Sequence, residues 1–401
     1  MMMKSKIFGS TLIIAGTTIG AGMLALPLAS AGIGFTTSLL IMFALWLLMS
    51  FTALLMVEVH QYADSRATLH TLAEEFLGTS GKWVATFSML FLFYSLCAAY
   101  IAGGGAQFTT RIDKLAGFSL SGSEGTLLFT VIVAVVVTFG TGAVDRVNRL
   151  LFAGKMIAMV AVLFFLAPNI TENYLLSMPV QNGLIIAAIP VIFTSFGFHG
   201  SIPAIVNYLD GNTKALRKAI IFGSAIPLII YIFWQLVTLG VVSQNELQGN
   251  SELGALIAQL ALTVHHSNLS QVIGVFADLA LLTSFLGVSL GLFEFLGDTM
   301  RKKHEKVNRP VASLITFLPP LLFALYYPQG FIMALGYAAI SLAVLAIFLP
   351  LMMVVKVRRR GGPKHYRAFG GTPALFLTGV CGLVIVTVQV LISCGVIASV
   401  G

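Results

Sequence analysis

Long apolar runs, each about the length of a membrane-spanning helix, recur along this whole chain. A helix needs roughly 20 consecutive apolar residues to span a bilayer. Only 9% of the 401 residues are charged, whereas soluble domains carry about 25%. The sequence therefore predicts an all-α integral membrane protein with eleven transmembrane helices, near residues 8–29, 35–60, 83–110, 125–141, 148–168, 183–207, 216–241, 269–297, 309–326, 330–355 and 373–398.

The basic residues predict how these helices are oriented. If the N-terminus is cytoplasmic, all of the 23 lysines and arginines except Arg111 and Lys114 fall on the cytoplasmic side. Cytoplasmic loops of membrane proteins carry such an excess of positive charge. We therefore expect a multi-pass inner-membrane protein with a cytoplasmic N-terminus and a periplasmic C-terminus. The lipid bilayer then explains the net charge of +8 without a nucleic-acid partner.

Eleven helices divide into five, five and one within a single domain. Residues 8–168 and 183–355 then form two repeats, and residues 373–398 form an extra helix. Because span 1 starts inside and span 6 starts outside, the repeats are inverted, as in many secondary transporters. Spans 1 and 6 each hold a glycine cluster followed by a proline, Pro27 and Pro203 respectively. We expect both helices to be broken, at residues 15–22 and 194–200, with a substrate site between the breaks.

Five segments carry a resemblance to a known family. They read AGTTIGAGML at 15–24, AIPVIFTSFGFHGS at 188–201, FADLA at 276–280, TSFLG at 283–287 and MALGY at 333–337. With them the chain resembles the bacterial hydroxy- and aromatic-amino-acid permeases over essentially its whole length. The resemblance implies the leucine-transporter-like fold of the amino acid–polyamine–organocation superfamily, and proton symport of an aromatic amino acid, above all tyrosine.

Other functions fit the sequence less well. Within the family, a tryptophan or broad aromatic permease is the alternative, and a membrane amino acid sensor is a remote alternative from another class. An enzyme would need a convergent catalytic set, and the sequence has no HExxH motif, no nucleotide loop and no nucleophile–base pair. A channel would need a continuous polar pore. We expect a transporter that is not an enzyme, with no cofactor and no metal site.

The predicted break in span 1 offers groups for the carboxylate of an amino acid. Free N–H groups at a helix N-terminus favour anions, and glycine lets a ligand approach the backbone. We expect the N–H groups of Gly20, Ala21 and Gly22 to bind the carboxylate, helped by the hydroxyls of Thr17 and Thr18. The alternative is that these glycines only allow close packing of helices.

The predicted break in span 6 offers groups for the rest of the substrate. Carbonyls freed where spans 1 and 6 unwind, near Ile14, Ala15 and Ser195, would face the ammonium group. The aromatic side chain needs an apolar slot, for which Phe193, Phe196 and Phe198 are candidates. Core packing is the alternative for each phenylalanine. Ser284 of span 8 is a further candidate for the pocket lining.

Three titratable residues within the spans are candidates for proton coupling. Asp278 is an intramembrane carboxylate, which is costly and therefore suggests a function, although a structural hydrogen bond is the alternative. His199 is a candidate to contact the substrate or to take part in proton coupling, since the reference pKa of histidine, about 6.5, suits a switch, and the alternative is a histidine simply held by freed carbonyls. The family fold implies that Lys155 borders the position of the ion in sodium-coupled relatives. Its ammonium would replace sodium, unless it snorkels to the cytoplasmic interface.

Overall fold

Helices account for all regular secondary structure in the part of the chain that the structure describes. This computed structural model describes residues 2–20, 22–117, 120–177, 184–248, 252–263, 267–300, 308–361 and 366–400. The predicted site residue Ala21 lies outside these ranges. Within them, the all-α class predicted from the sequence is confirmed.

Seventeen α-helices follow one another in these ranges, with a 3-10 turn at Ala167–Asn169, another at His199–Ser201 and a π-helical turn at Val344–Phe348. The helices are α1 (Met2–Thr18), α2 (Gly22–Ser30), α3 (Gly34–His60), α4 (Leu69–Ala116), α5 (Gly122–Thr138), α6 (Thr141–Leu166), α7 (Glu172–Leu176), α8 (Leu184–Thr194), α9 (Ile202–Tyr208), α10 (Thr213–Val241), α11 (Gln244–Gln248), α12 (Leu253–Thr263), α13 (Ser267–Met300), α14 (Arg309–Tyr326), α15 (Phe331–Ala343), α16 (Leu349–Arg360) and α17 (Gly371–Ser393).

The number of spans in the structure is close to the number predicted. In the described part, nine helical stretches are long and apolar enough to cross a membrane, and the bent pair α1 and α2 makes a tenth. The run predicted at 125–141 coincides with α5, which has only 17 residues. At about 1.5 Å per residue such a helix is shorter than the roughly 30 Å hydrocarbon core. The structure thus gives a polytopic membrane protein with nine or ten full-length spans.

Both glycine clusters interrupt a helix. Helix α1 ends at Thr18 and α2 begins at Gly22, with a bend of 53° between them. Helix α8 ends at Thr194, and helical structure resumes with the 3-10 turn before α9. Pro203 is tolerated at the start of α9 because N–H groups of the first turn have no partner within the helix. Both interruptions begin inside the ranges predicted from the sequence.

Two other distortions have local causes. Helix α4, 48 residues long, consists of two helical segments joined by a kink at Gly78. The φ of Gly78, 77°, lies in a region that favours glycine. The span predicted at 83–110 lies after this kink. The π-helical turn Val344–Phe348 joins α15 to α16 just before Pro350, whose ring and missing N–H disrupt the regular helical hydrogen bonds.

The two ends of the helix bundle differ in charge. At one end, which we call the basic end, Lys6 pairs with Asp210 at 2.8 Å and Arg358 with Glu58 at 2.8 Å. Arg217, near the start of α10, lies 4.6 Å from the ring centroid of Tyr366, whose carbonyl accepts from Gln61 at the end of α3, so these helix ends meet here as well. Arg111, near the end of α4, lies toward the opposite end.

The ion pair between Glu58 and Arg358 joins α3 to α16 and is the most buried ion pair in the described part of the chain. The Nε atom and one terminal nitrogen of Arg358 each donate to a carboxylate oxygen of Glu58 at 2.8 Å. The Ala368 N–H donates to the same carboxylate at 2.9 Å. Only 4% of the Glu58 side chain and 10% of the Arg358 side chain are exposed. Removing one partner of such a pair leaves a buried charge uncompensated.

We expect Glu58→Ala to lower the free energy of unfolding by about 3–5 kcal/mol, because Arg358 would then be buried without its partner. The matched control is Glu74→Ala, which removes an exposed ion pair with Lys82 and should cost about 0–1 kcal/mol. Denaturant unfolding of the purified protein in detergent micelles measures both. Equal losses in the two variants would contradict a structural role for the buried pair.

Candidate functional site

A cavity of about 620 Å³ lies where the two interrupted helices meet. From the breaks its lining continues through Leu12 of α1, Asn148 of α6 and Gly291 of α13. Each of these residues lies on its helix toward the basic end, so the cavity extends in that direction. The residues that the two breaks and their flanks contribute are Thr17, Thr18, Ile19, Gly20, Gly22, Thr194, Ser195, Gly197, His199, Gly200 and Ser201.

Two glycines let the break in span 1 lie directly against its neighbours. A Cβ atom on Gly22 would lie 3.2 Å from the Cα atom of Ser195, and one on Gly20 would lie 2.8 Å from the hydroxyl oxygen of Ser284. The Ser195 hydroxyl also donates to the Gly22 carbonyl at 3.1 Å. These glycines therefore allow close packing and line the cavity at once, and the two roles proposed for them are compatible.

The hydroxyl of Tyr231 in α10 lies between carbonyls of both breaks, which share its one proton. Its hydroxyl oxygen lies 2.6 Å from the Thr18 carbonyl oxygen and 2.9 Å from the Ser195 carbonyl oxygen. The sequence gives no local signal for this residue, because α10 is a continuous helix and a tyrosine in an apolar helix is unremarkable by pattern alone. The carbonyl of Ser195, expected to face the ammonium group of the substrate, already accepts this bond.

Lys155 of α6 reaches into the same region. Only 2% of this residue is exposed. Its ammonium donates to the Ile19 carbonyl at 2.9 Å and lies 3.3 Å from the Thr283 hydroxyl oxygen. It also lies 4.6 Å from the ring centroid of Phe152. The side chain thus points at the break in span 1 instead of extending to the interface, and it lines the cavity.

His199 lies in the wall of the cavity, just after the break in span 6. Its Nε2 atom is 2.8 Å from the Thr52 hydroxyl oxygen, and its Nδ1 atom has no partner in the described part of the chain. The ring of Phe198 lies alongside, with 5.1 Å between the ring centroids. Span 2, through Thr52, therefore orients this imidazole.

The phenylalanines predicted to form the aromatic slot lie behind the cavity wall. Phe193, Phe196 and Phe198 are each 0% exposed and are not part of the lining. Phe196 instead packs edge-to-face on Tyr231, with 5.4 Å between the ring centroids. A chain with 30 phenylalanines gives no sequence signal for which rings face a cavity. In the structure, the phenylalanine and tyrosine rings that line the cavity are those of Phe93, Tyr100 and Phe152.

Asp278 lies outside the lining of this cavity and is paired with Arg111. The Nε atom and one terminal nitrogen of Arg111 lie 2.8 Å and 2.7 Å from Oδ2 of the carboxylate. A Cβ atom on Gly274, one turn earlier in α13, would overlap the guanidinium group. Arg111 and Gly274 line a second cavity, of about 480 Å³, toward the end opposite the basic end. An ion pair between α4 and α13 thus accounts for a carboxylate at this depth.

The chain is similar over nearly its whole length to known permeases. The model of the tryptophan/tyrosine permease family matches residues 3–389. Tyrosine-specific transport system 1 of Haemophilus influenzae is 44% identical, over 98% of this chain and 98% of its own length. Glutamine transporter 2 of Aliivibrio fischeri is 34% identical over 97% of this chain and 100% of its own length. A tryptophan-specific transport protein of Pseudomonas aeruginosa is 32% identical over 97% of this chain and 95% of its own length. The chain therefore belongs to the tryptophan/tyrosine permease family.

Proposed function

We propose that this protein is a secondary active transporter that imports an aromatic amino acid, above all tyrosine, by proton symport across the bacterial inner membrane. The observation that carries the proposal is the cavity between two interrupted helices, because freed backbone groups at such a place can bind both charged ends of an amino acid. A tyrosine-specific relative with 44% identity supports the choice of substrate. The more distant tryptophan-specific relative supports tryptophan as the second candidate.

The proposed topology follows from the positive-inside rule. It puts the basic end and the N-terminus in the cytoplasm and the C-terminus in the periplasm. Helix α5 counts as a span, because without it the basic residues that follow would change sides. Eleven spans then form a five-plus-five inverted repeat with α17 as the extra helix. With this topology, the cavity extends toward the cytoplasm, as expected of an inward-facing state.

The cavity offers complementary groups for tyrosine. Its volume lies within the roughly 300–1,000 Å³ range typical of small-molecule sites. The N-terminus of α2 at Gly22 would attract the carboxylate, with Gly20 and Thr17 beside it. Carbonyls at the ends of α1 and α8, each of which can accept a second hydrogen bond beside that of Tyr231, would face the ammonium group. The aromatic ring would lie against Phe93 and Phe152 on the scaffold formed by α4 and α6.

Lys155 is the residue that we propose for proton coupling. Its ammonium binds a neutral carbonyl in the break of span 1, so its protonation would decide whether span 1 is attached to α6. Burial disfavours the charged form of a lysine, so a proton can be released there. Asp278 is the second candidate and His199 the third; the pairing of Asp278 with Arg111 favours Lys155 over it.

Tyrosine uptake tests the proposal. We expect purified protein in proteoliposomes to concentrate labelled tyrosine when an inward proton gradient is imposed in sodium-free buffer. Unlabelled tyrosine should compete strongly, and tryptophan and glutamine should compete weakly. Uptake that requires sodium would contradict proton symport. Chemical change of the tyrosine would indicate an enzyme. Tyrosine that equilibrates across the membrane without being concentrated would indicate a channel, and tyrosine that does not cross the membrane would indicate a sensor.

We expect Lys155→Met to abolish gradient-driven accumulation but to retain exchange of external for internal tyrosine, because methionine fills the space and carries no proton. The matched control is Lys356→Met, which removes an exposed lysine of α16. The same two assays on Asp278→Asn test the second candidate. Normal accumulation by Lys155→Met, or equal loss of exchange and accumulation, would contradict a coupling role for this lysine.

A further inference from the structure

Tyr231 joins the two broken helices from outside both of them. It lies on α10 (Thr213–Val241) and is 0% exposed. Its hydroxyl oxygen is within hydrogen-bond distance of two backbone carbonyls, 2.6 Å from that of Thr18 and 2.9 Å from that of Ser195. A single side chain of a continuous helix therefore contacts both breaks.

The two carbonyls belong to helix ends of the same sign. Thr18 is the last residue of α1, and Ser195 directly follows α8. The C-terminus of a helix carries unsatisfied carbonyls and a partial negative charge. Two such ends repel each other, and because Thr18 and Ser195 are buried, a carbonyl there without a donor costs free energy. A hydrogen-bond donor between them, such as the Tyr231 hydroxyl, relieves both effects.

The side-chain hydroxyls of Thr18 and Ser195 make other hydrogen bonds. The Thr18 hydroxyl donates to the Ile14 carbonyl of its own helix at 2.8 Å. The Ser195 hydroxyl lies 3.1 Å from the Gly22 carbonyl oxygen and 3.3 Å from that of Val191. Within the described residues, the donor that links the ends of α1 and α8 is thus the Tyr231 hydroxyl.

The ring of Tyr231 is itself held in place. The ring of Phe196, one residue after Ser195, packs against it edge-to-face with 5.4 Å between the centroids. A phenol ring held at its face and at its hydroxyl has little freedom to follow a shift of either break. Its position therefore determines how far apart the two helix ends lie.

We propose that Tyr231 is a positioning residue for substrate recognition. Its hydroxyl fixes the spacing between the break of span 1, with the N–H groups at Gly22, and the break of span 6. This inference rests on the proposed function, because it assumes that the cavity between the breaks binds tyrosine. Losing the hydroxyl lowers the affinity for substrate more than it lowers the amount of folded protein.

The test compares two tyrosines that each donate to a backbone carbonyl between helices. Tyr231→Phe removes the bond at the breaks. Tyr94→Phe removes a bond to the Ile315 carbonyl, 2.9 Å long, which links α4 to α14 away from the cavity. We expect the KM for tyrosine uptake and the Kd for tyrosine binding to rise about tenfold in Tyr231→Phe, the effect of unpairing a buried acceptor. Both constants should stay within about twofold in Tyr94→Phe.

Several results would overturn the inference. One is a Tyr231→Phe variant whose KM and Kd for tyrosine are unchanged and in which only Vmax or thermal stability is reduced. Another is an equal rise of KM and Kd in Tyr231→Phe and Tyr94→Phe. If Tyr231→Phe does not fold, Phe196→Leu is the second variant. It keeps the hydroxyl but removes the supporting ring, and an unchanged Kd there would overturn the inference too. Wild-type protein that neither binds nor transports tyrosine would instead overturn the proposed function.

Discussion

A helix that is interrupted within a bilayer leaves backbone N–H and C=O groups without their helical partners, and each group that stays unsatisfied costs free energy. The site in this protein depends on how that requirement is met. The Tyr231 hydroxyl shares its one proton between the carbonyls of Thr18 and Ser195, and the Lys155 ammonium donates to that of Ile19. These donors come from α10 and α6, which are themselves continuous helices. The same bonds that make the breaks tolerable therefore also determine the shape of the cavity.

The charged groups inside the bundle differ in how they are compensated. Arg111 is paired with Asp278, and Arg358 is paired with Glu58. In the described part of the chain, Lys155 has no carboxylate partner and binds a neutral carbonyl and a hydroxyl instead. A buried ammonium without a counter-charge is the group for which loss of a proton is least costly. This difference is the reason for proposing Lys155 ahead of Asp278 for proton coupling.

Ten of the eleven predicted spans have a full-length counterpart in the described part of the chain, and both breaks lie where the sequence predicts them, because both features depend on composition over many residues. Runs of apolar residues indicate the helices, and the clusters around Gly20 and Gly197 indicate where two of them are interrupted. The partners of single side chains are a different matter. An apolar helix has no polar face to show which side it turns to the cavity. The sequence therefore does not reveal that Asp278 meets Arg111 of α4, or that Tyr231 reaches both breaks.

The central claim is that the cavity between the breaks binds the substrate, and protection of a single cysteine tests it most directly. Thr17 lines the cavity and is exposed. In a variant with Cys97, Cys381 and Cys394 replaced by alanine, Thr17→Cys should react with an alkylating reagent, and saturating tyrosine should slow the reaction several-fold. Thr141→Cys, at the basic end and outside the lining, should be unaffected. Equal rates with and without tyrosine, in a Thr17→Cys variant that still transports, would contradict the claim.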